Sequence, residues 1–367
     1  MEIYFADLNY QNSAWLVELG ELIEEYSSLI WTKRWQAFGD FVLTMPVDAL
    51  KGVNSYDSLI GRLVVLRGEM SSDMTTLLRP DDYMLIEKVT LTYDAYARAI
   101  LVIEGNDLVS LLGRRIIWGQ SSFRESQTVK EVVDTLVNES IISPTDSDRQ
   151  IYGFNIDSYS ASDTIEALQR SYDNVYDTII ELCKDKYSPE VTLDSGILKF
   201  KLYAGTDRTL ATNDPLTFSE ELDNLEKYEY LKDLTEYKNA WLCAGEGEGA
   251  DRITVSNTDG QTGIARRELY IDARDISQQD EDGEVPLETY EEMLQTRIQD
   301  SKYDTWINEL STAELTFEGK TYGVDYFVGD KATLIDPLGN AHTIRITEFI
   351  RCDDSNGYSE FPNFEII

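Results

Sequence analysis

From Ile3 to about residue 105, apolar and polar side chains alternate in seven short runs: Ile3–Leu8, Trp15–Ile23, Leu29–Trp35, Phe41–Met45, Arg62–Arg67, Tyr83–Thr92 and Tyr96–Glu104. Period-two alternation is the mark of half-buried strands. Gly39-Asp40 supplies a turn between the third and fourth runs, and Pro46, which has no N–H to give a ladder, ends the fourth. The last two runs join near Tyr93-Asp94-Ala95. Seven closely spaced strands with no long helix among them predict a closed antiparallel barrel or sandwich.

After Gly105-Asn106-Asp107 the period changes. Asp107 is placed to cap a short helix carrying Leu108, Leu111 and Leu112, with Gly113 as its left-handed terminator. Ser126 or Thr128 opens a helix with Val129, Val132, Val133, Leu136 and Val137 on one face, ending near Ile142 before Pro144. Asn174 caps another, with Asp177 as a partial capping box and Val175, Ile179, Leu182 and Cys183 along one side. Ser162–Arg170 fits either period and is assigned as strand. The segment 106–195 is therefore expected to be an α/β domain.

Strands return at Ile197–Tyr203, Tyr237–Ala244, Arg252–Ser256, Ile264–Asp272, Glu314–Phe317, Lys331–Ile335, Thr343–Ile350 and near Phe364. A loop and helix near 275–312 interrupt them. Pro286 suits a first helical turn, and Leu287, Tyr290, Leu294 and Ile298 follow at helical spacing. The chain is thus expected to be mainly β with α/β insertions: barrels at 1–105 and 196–367 around the α/β domain. Phe38-Gly39-Asp40 before a strand and Pro46 has an echo in Val328-Gly329-Asp330 before a strand and Pro337, a possible internal repeat.

With 367 residues, two or three domains are expected. Hydrophobic residues at 42% set the chain apart from disordered acidic tails. No apolar run approaches the ~20 residues of a membrane span, and the N-terminus lacks the pattern of a signal peptide, so folding in a cytoplasm is expected. Acidic residues number 68 against 32 Lys and Arg, a net charge of −36. Such a surface repels phosphate, which argues against gripping DNA but suits either simple solubility or a lumen through which nucleic acid slides.

Few residues offer chemistry. Cys183, Cys243 and Cys352 are far apart with no Cys-x-x-Cys pair, and are expected to be buried thiols. His342, the sole histidine, lies in a strand-like run, leaving little material for a triad or a His-rich metal site. Gly245-Glu246-Gly247-Glu248-Gly249 fails the G-x-G-x-x-G spacing, and its glutamates would repel pyrophosphate, so a hairpin is expected. Asp280–Glu284 lacks calcium-loop spacing and is read as a solvated loop that places negative charge before the helix at 286. Asn138-Glu139-Ser140 fits a glycosylation pattern by coincidence, on an amphipathic helix. Alternation in Arg266–Asp275 puts Glu268, Tyr270, Asp272 and Arg274 on one face, suited to ion pairing. No catalytic, cofactor-binding or metal-ligating residue is assigned, and no cofactor is expected.

Several motifs in order carry a resemblance: Ile30-Trp31-Thr32 leading into Gly39-Asp40-Phe41, Gly113-Arg114-Arg115-Ile116, Tyr203-Ala204-Gly205-Thr206-Asp207-Arg208, Lys238-Asn239-Ala240 before Gly245-Glu246-Gly247, Arg266–Asp272 and Asp325–Asp330. In these the chain resembles the tail-hub (baseplate-hub) proteins of long-tailed siphophages and prophages. The resemblance implies a structural virion-tail component that is not an enzyme: a homotrimer whose two barrels per subunit form a pseudo-sixfold ring on the tail tube. It implies tail tube, distal tail and tail fibre or receptor-binding proteins as partners, and passage of DNA through the lumen without sequence-specific binding. Some relatives carry a C-terminal lysin or fibre segment; ending at Ile367 after its last strand, this chain is expected to lack one. The aromatic strand edge around Trp31 and Trp35 is a candidate subunit contact, with the core as the competing placement. A carbohydrate-active enzyme, or a carbohydrate- or receptor-binding module, stands as the alternative, because abundant carboxylates and aromatics can line a sugar cleft.

Overall fold

The computed structural model describes residues 2–50, 56–67, 82–94, 96–280, 283–302, 308–315 and 322–367. Ala95, Glu281, Asp282, Thr316 and Phe317, parts of expected turns, loops and strands, lie outside the described residues. The fold is mainly β.

Strands β1 (Glu2–Gln11), β2 (Ala14–Leu22), β3 (Ser28–Arg34), β4 (Asp40–Pro46), β5 (Leu63–Arg67), β6 (Asp82–Tyr93) and β7 (Ala99–Asn106) form at the seven alternating runs. They pair antiparallel in the order β3-β4-β7-β6-β5-β1-β2. Alternate residues of six strands, including Phe5, Trp31, Phe41, Leu43, Val64, Met84 and Ile103, meet in one buried cluster. Inner faces of six strands reach one cluster only if the sheet curls around it. Among the described residues no ladder joins β2 to β3. Gly105 permits the tightest crossing. A Cβ there would sit 1.8 Å from the Leu85 carbonyl oxygen, beside the bulge between Ile86 and Lys88.

The opposite face of β1, β5 and β6 is also buried, because Ala6, Leu63, Val65 and Leu85 pack into a second cluster with the next segment of chain. That segment contains α1 (Ser110–Gly113), β8 (Gln120–Phe123), α2 (Val129–Val137), β9 (Phe154–Ile156), β10 (Leu168–Ser171), α3 (Val175–Cys183), β11 (Ser188–Asp194) and β12 (Ile197–Tyr203). Thr128 and Glu131 form a complete capping box on α2, which runs on through a π-turn at Asn138–Ile142. The Asn174 carboxamide accepts the Tyr176 and Asp177 N–H groups at the start of α3. Strand β12 lies between β11, antiparallel, and β9, parallel.

Three local expectations are corrected. Gly113 is the last residue of α1 and has no positive φ; a Cβ there would lie 2.7 Å from the Phe38 ring, so close packing explains the glycine. The expected strand over Ser162–Arg170 is confined to β10, with Thr164 making only a single bridge to Thr128. Strand β11 was not anticipated because Pro189 interrupts its pattern; at the edge of its sheet the missing N–H is tolerated.

The remaining elements are β13 (Thr217–Phe218), β14 (Leu225–Asp233), β15 (Ala240–Ala244), β16 (Thr254–Thr258), β17 (Glu268–Asp272), β18 (Gln279–Asp280), β19 (Gly283–Glu284), α4 (Leu287–Lys302), β20 (Asn308–Leu315), β21 (Lys331–Ile335), β22 (Ala341–Asp354) and β23 (Gly357–Ile366). Along one edge β22 pairs with β21 over Ala341–Arg345 and then with β3 over Glu348–Asp353. The hand-over falls at the bulge in its ladder with β23, between Ile346 and Glu348. Strands from the two ends of the sequence thereby join one hydrogen-bonded sheet.

The chain divides into two compact units, residues 1–227 with 313–367, and residues 228–312. The α/β segment shares its core with β1, β5 and β6. In the 228–312 unit, β16-β15-β17 form a sheet covered by α4, with Trp241, Cys243, Ile271, Tyr290, Leu294 and Ile298 in its core. In the run read as a loop, Asp280 of β18 pairs with Gly283 and Gln279 with Glu284 of β19.

Candidate functional site

The residues singled out in the sequence do not converge. His342 lies on β22, with Nε2 3.1 Å from Asp336 Oδ2. The Asp336 carboxylate caps its own turn by accepting the Leu338 and Asn340 N–H groups. Cys183 and Cys243 are buried, Cys352 is partly so, and all three thiols are free. Burial pushes the Cys183 thiol up to about 12 and raises the other two, which keeps them protonated and poorly nucleophilic. The 245–249 run joins antiparallel β15 and β16. Its Gly245 faces Tyr290, whose hydroxyl accepts the Glu246 N–H at 2.7 Å. On β17, Asp272 pairs with Arg252 and Arg274, and these hydrogen bonds hold its carboxyl far below the usual range. Asn138 is exposed in the π-turn. Among the described residues no cluster of three or more His, Cys, Asp or Glu is arranged to hold a metal, and no helix is long and apolar enough to cross a membrane.

Charged groups that do converge lie in a cavity of about 310 Å³ among β3, β6, the Asp107 turn, β11 and Tyr322. Two residues apart on β3, Trp31 and Lys33 share one face of the strand, and both reach Asp82. Lys33 Nζ is 2.7 Å from Asp82 Oδ1, while Trp31 Nε1 donates to Asp82 Oδ2 at 3.0 Å. Asp107 accepts the Gly39 N–H at 2.9 Å and the Val109 N–H at 3.2 Å. Burial raises the Asp107 carboxyl to about 6 against the opposing pull of Lys33 and the Gly39 N–H. Burial draws Lys33 down, but Asp82 and Asp107 outweigh it and its pKa rises. Tyr322, stacked on Phe349 with centroids 3.9 Å apart, is pushed up to about 12, chiefly by burial. Two carboxylates, one with a raised pKa, superficially fit acid–base chemistry. Here both oxygens of each are engaged by intramolecular donors, so the arrangement is a tie between β3, β6 and the Asp107 turn. Sequence reasoning missed it because the three charges are distant in sequence.

Of the two placements open for Trp31 and Trp35, the structure shows the core. Trp31 is fully buried against Phe41. Trp35 is buried against Tyr203 and Gly329. Exposed apolar side chains lie elsewhere, including Leu16, Leu19 and Leu22 on edge strand β2, and Tyr358 and Phe361 on β23.

The fold is similar to those of two solved tail proteins. The 43 kDa tail protein of prophage MuSo2 from Shewanella oneidensis is similar over 100% of this chain and 98% of its own, with a TM-score of 0.52 and 14% identity. A tail protein from Neisseria meningitidis MC58 is similar over 99% and 96%, with a TM-score of 0.51 and 11% identity. No curated protein sequence matches. The family described as Siphovirus ReqiPepy6 Gp37-like protein matches residues 16–361, and the chain belongs to that family.

Proposed function

We propose that this protein is the hub of a long-tailed phage or prophage tail tip, a homotrimer that closes the tail tube and connects it to distal tail and fibre proteins. The observation that carries the reading is the dual pairing of β22, with β21 over one half and β3 over the other. On this reading each subunit would bring two β modules, one around β3 and one around β21, joined through β22, and three such subunits would present six modules to a tube. Strands β3, β21 and β22 lie in the unit of residues 1–227 and 313–367.

A net charge of −36 per chain, or 3 × −36 = −108 per trimer, suits a lumen that passes DNA without holding it. The subunits fold in the bacterial cytoplasm and act in the virion tail. The role is structural, supported by the dispersal of His342 and the three cysteines and by the engaged carboxylates at Asp82 and Asp107. Negative-stain imaging of the protein mixed with tail tube protein tests this: rings seated on tube ends support the hub. Sustained hydrolysis of host wall glycans, abolished by one Asp or Glu substitution, would instead establish the carbohydrate-active alternative.

A further inference from the structure

Arg345 lies on β22 with 5% of its surface exposed, yet its guanidinium is poorly matched. Its only carboxylate neighbour among the described residues is Glu365 at 3.9 Å, and Nε has no hydrogen-bond partner. The ring of Trp35, with its centroid 5.2 Å away, supplies a cation–π contact but accepts no N–H in the guanidinium plane. A buried cation with an unfilled donor is costly unless an anion completes it.

Arg345 lines an open cavity of about 340 Å³. Lys331 and Lys186 line the same cavity, with Asp163 and Asp207 as its acidic groups. Lys186 is already paired to Asp163. Lys331 has no ion-pair partner within 4 Å among the described residues, although Asp207 lies on the neighbouring bridge. The walls are firmly set: Gly205 approaches Gly329 so closely that a Cβ would lie 2.1 Å from the Gly329 carbonyl oxygen. The buried carboxylate of Asp330 ties the wall by accepting the Thr206 N–H at 2.7 Å and the Arg208 Nε–H at 2.9 Å. Arg345, with one carboxylate at 3.9 Å and an unfilled Nε, and Lys331, beside Asp207, therefore line one preformed cavity in a chain of net charge −36.

We infer that this cavity is a carboxylate-binding site in which Arg345 and Lys331 hold the two oxygens. A planar guanidinium and a mobile ammonium suit a carboxylate, and the low exposure of Arg345 makes the contact stronger than a surface ion pair. The inference does not depend on the hub reading.

Trifluoroacetate serves as the probe, followed by fluorine NMR on the full chain at fixed ionic strength in chloride, with trifluoroethanol as the neutral control. Saturable broadening of trifluoroacetate alone, displaced by succinate, is expected. Lys331→Gln should weaken binding by about tenfold, and Arg345→Gln at least as much, with thermal unfolding used to verify that each variant is folded. Lys331 is partly exposed, so its variant keeps the test decisive if Arg345→Gln does not fold. Non-saturable broadening, equal effects in the Lys331 variant, or displacement by phosphate at tenfold lower concentration than succinate would overturn the carboxylate assignment.

Discussion

The carboxylate of Asp107 accepts the backbone N–H of Gly39 at 2.9 Å, fastening the β3–β4 turn to the start of α1. Its carboxyl takes up a proton near pH 6 in the folded chain, above the ordinary value of 3.8, chiefly because it is buried. Between about pH 4 and 6 the folded state therefore holds more protons at this site than the unfolded state, and this group's contribution to stability falls as pH rises through that window. Asp107→Asn should remove that component. In urea titrations at pH 4 and pH 7, the stability difference between wild type and variant should change by up to about 3 kcal/mol, with the wild type relatively better at pH 4. A difference independent of pH would contradict the assignment.

Gly329, at φ +95, has no room for a side chain, because a Cβ would lie 2.3 Å from the Trp35 ring. Gly339, at φ +85, faces nothing within 4 Å. Gly329→Ala should destabilise by about 3 kcal/mol through backbone strain plus overpacking, and Gly339→Ala by about 1 kcal/mol through strain alone. Thermal unfolding of the two variants separates these effects.

Thr128 and Glu131 satisfy each other's backbone N–H groups at the start of α2. Thr128→Ala should cost about 1 kcal/mol in a denaturant titration, whereas substitution of exposed Glu125 should cost under about 0.5 kcal/mol.

Local patterns were legible where one face of an element meets a core. The seven N-terminal strands, the faces of α2, α3 and α4, and β12 and β21 all follow from the spacing of their apolar residues. Long-range pairing was not legible. Nothing in the run Ala341–Asp354 distinguishes a strand with one neighbour from one that changes partners at Ile346–Glu348. The shared core was not legible for the same reason, since Ala6, Leu63, Val65 and Leu85 alternate like any strand residues while their outward face packs against the next segment. The tie at Lys33, Asp82 and Asp107 and the cavity at Arg345 are assembled from separate elements, and acidic residues are too common in this chain for spacing to single out any of them.

Burial of Trp31 and Trp35 removes the aromatic strand from the candidate subunit contacts and gives it a stability role instead. Trp31→Ala should cost about 4 kcal/mol in equilibrium unfolding, because it empties the centre of the first curled sheet and strands the Asp82 acceptor. A loss below about 1 kcal/mol, accompanied by altered self-association, would return Trp31 to a surface role.

Assembly is the central claim. Like charges oppose closure of three chains at −36 each, so salt should favour it, with association resting on apolar and hydrogen-bonded surface. Light scattering at low and high salt, with and without tail tube protein, measures this directly. The account predicts a species of three times the 41.9 kDa chain mass, promoted by salt or by tube protein, and its contradiction would be a 41.9 kDa monomer under every condition that does not bind tube ends.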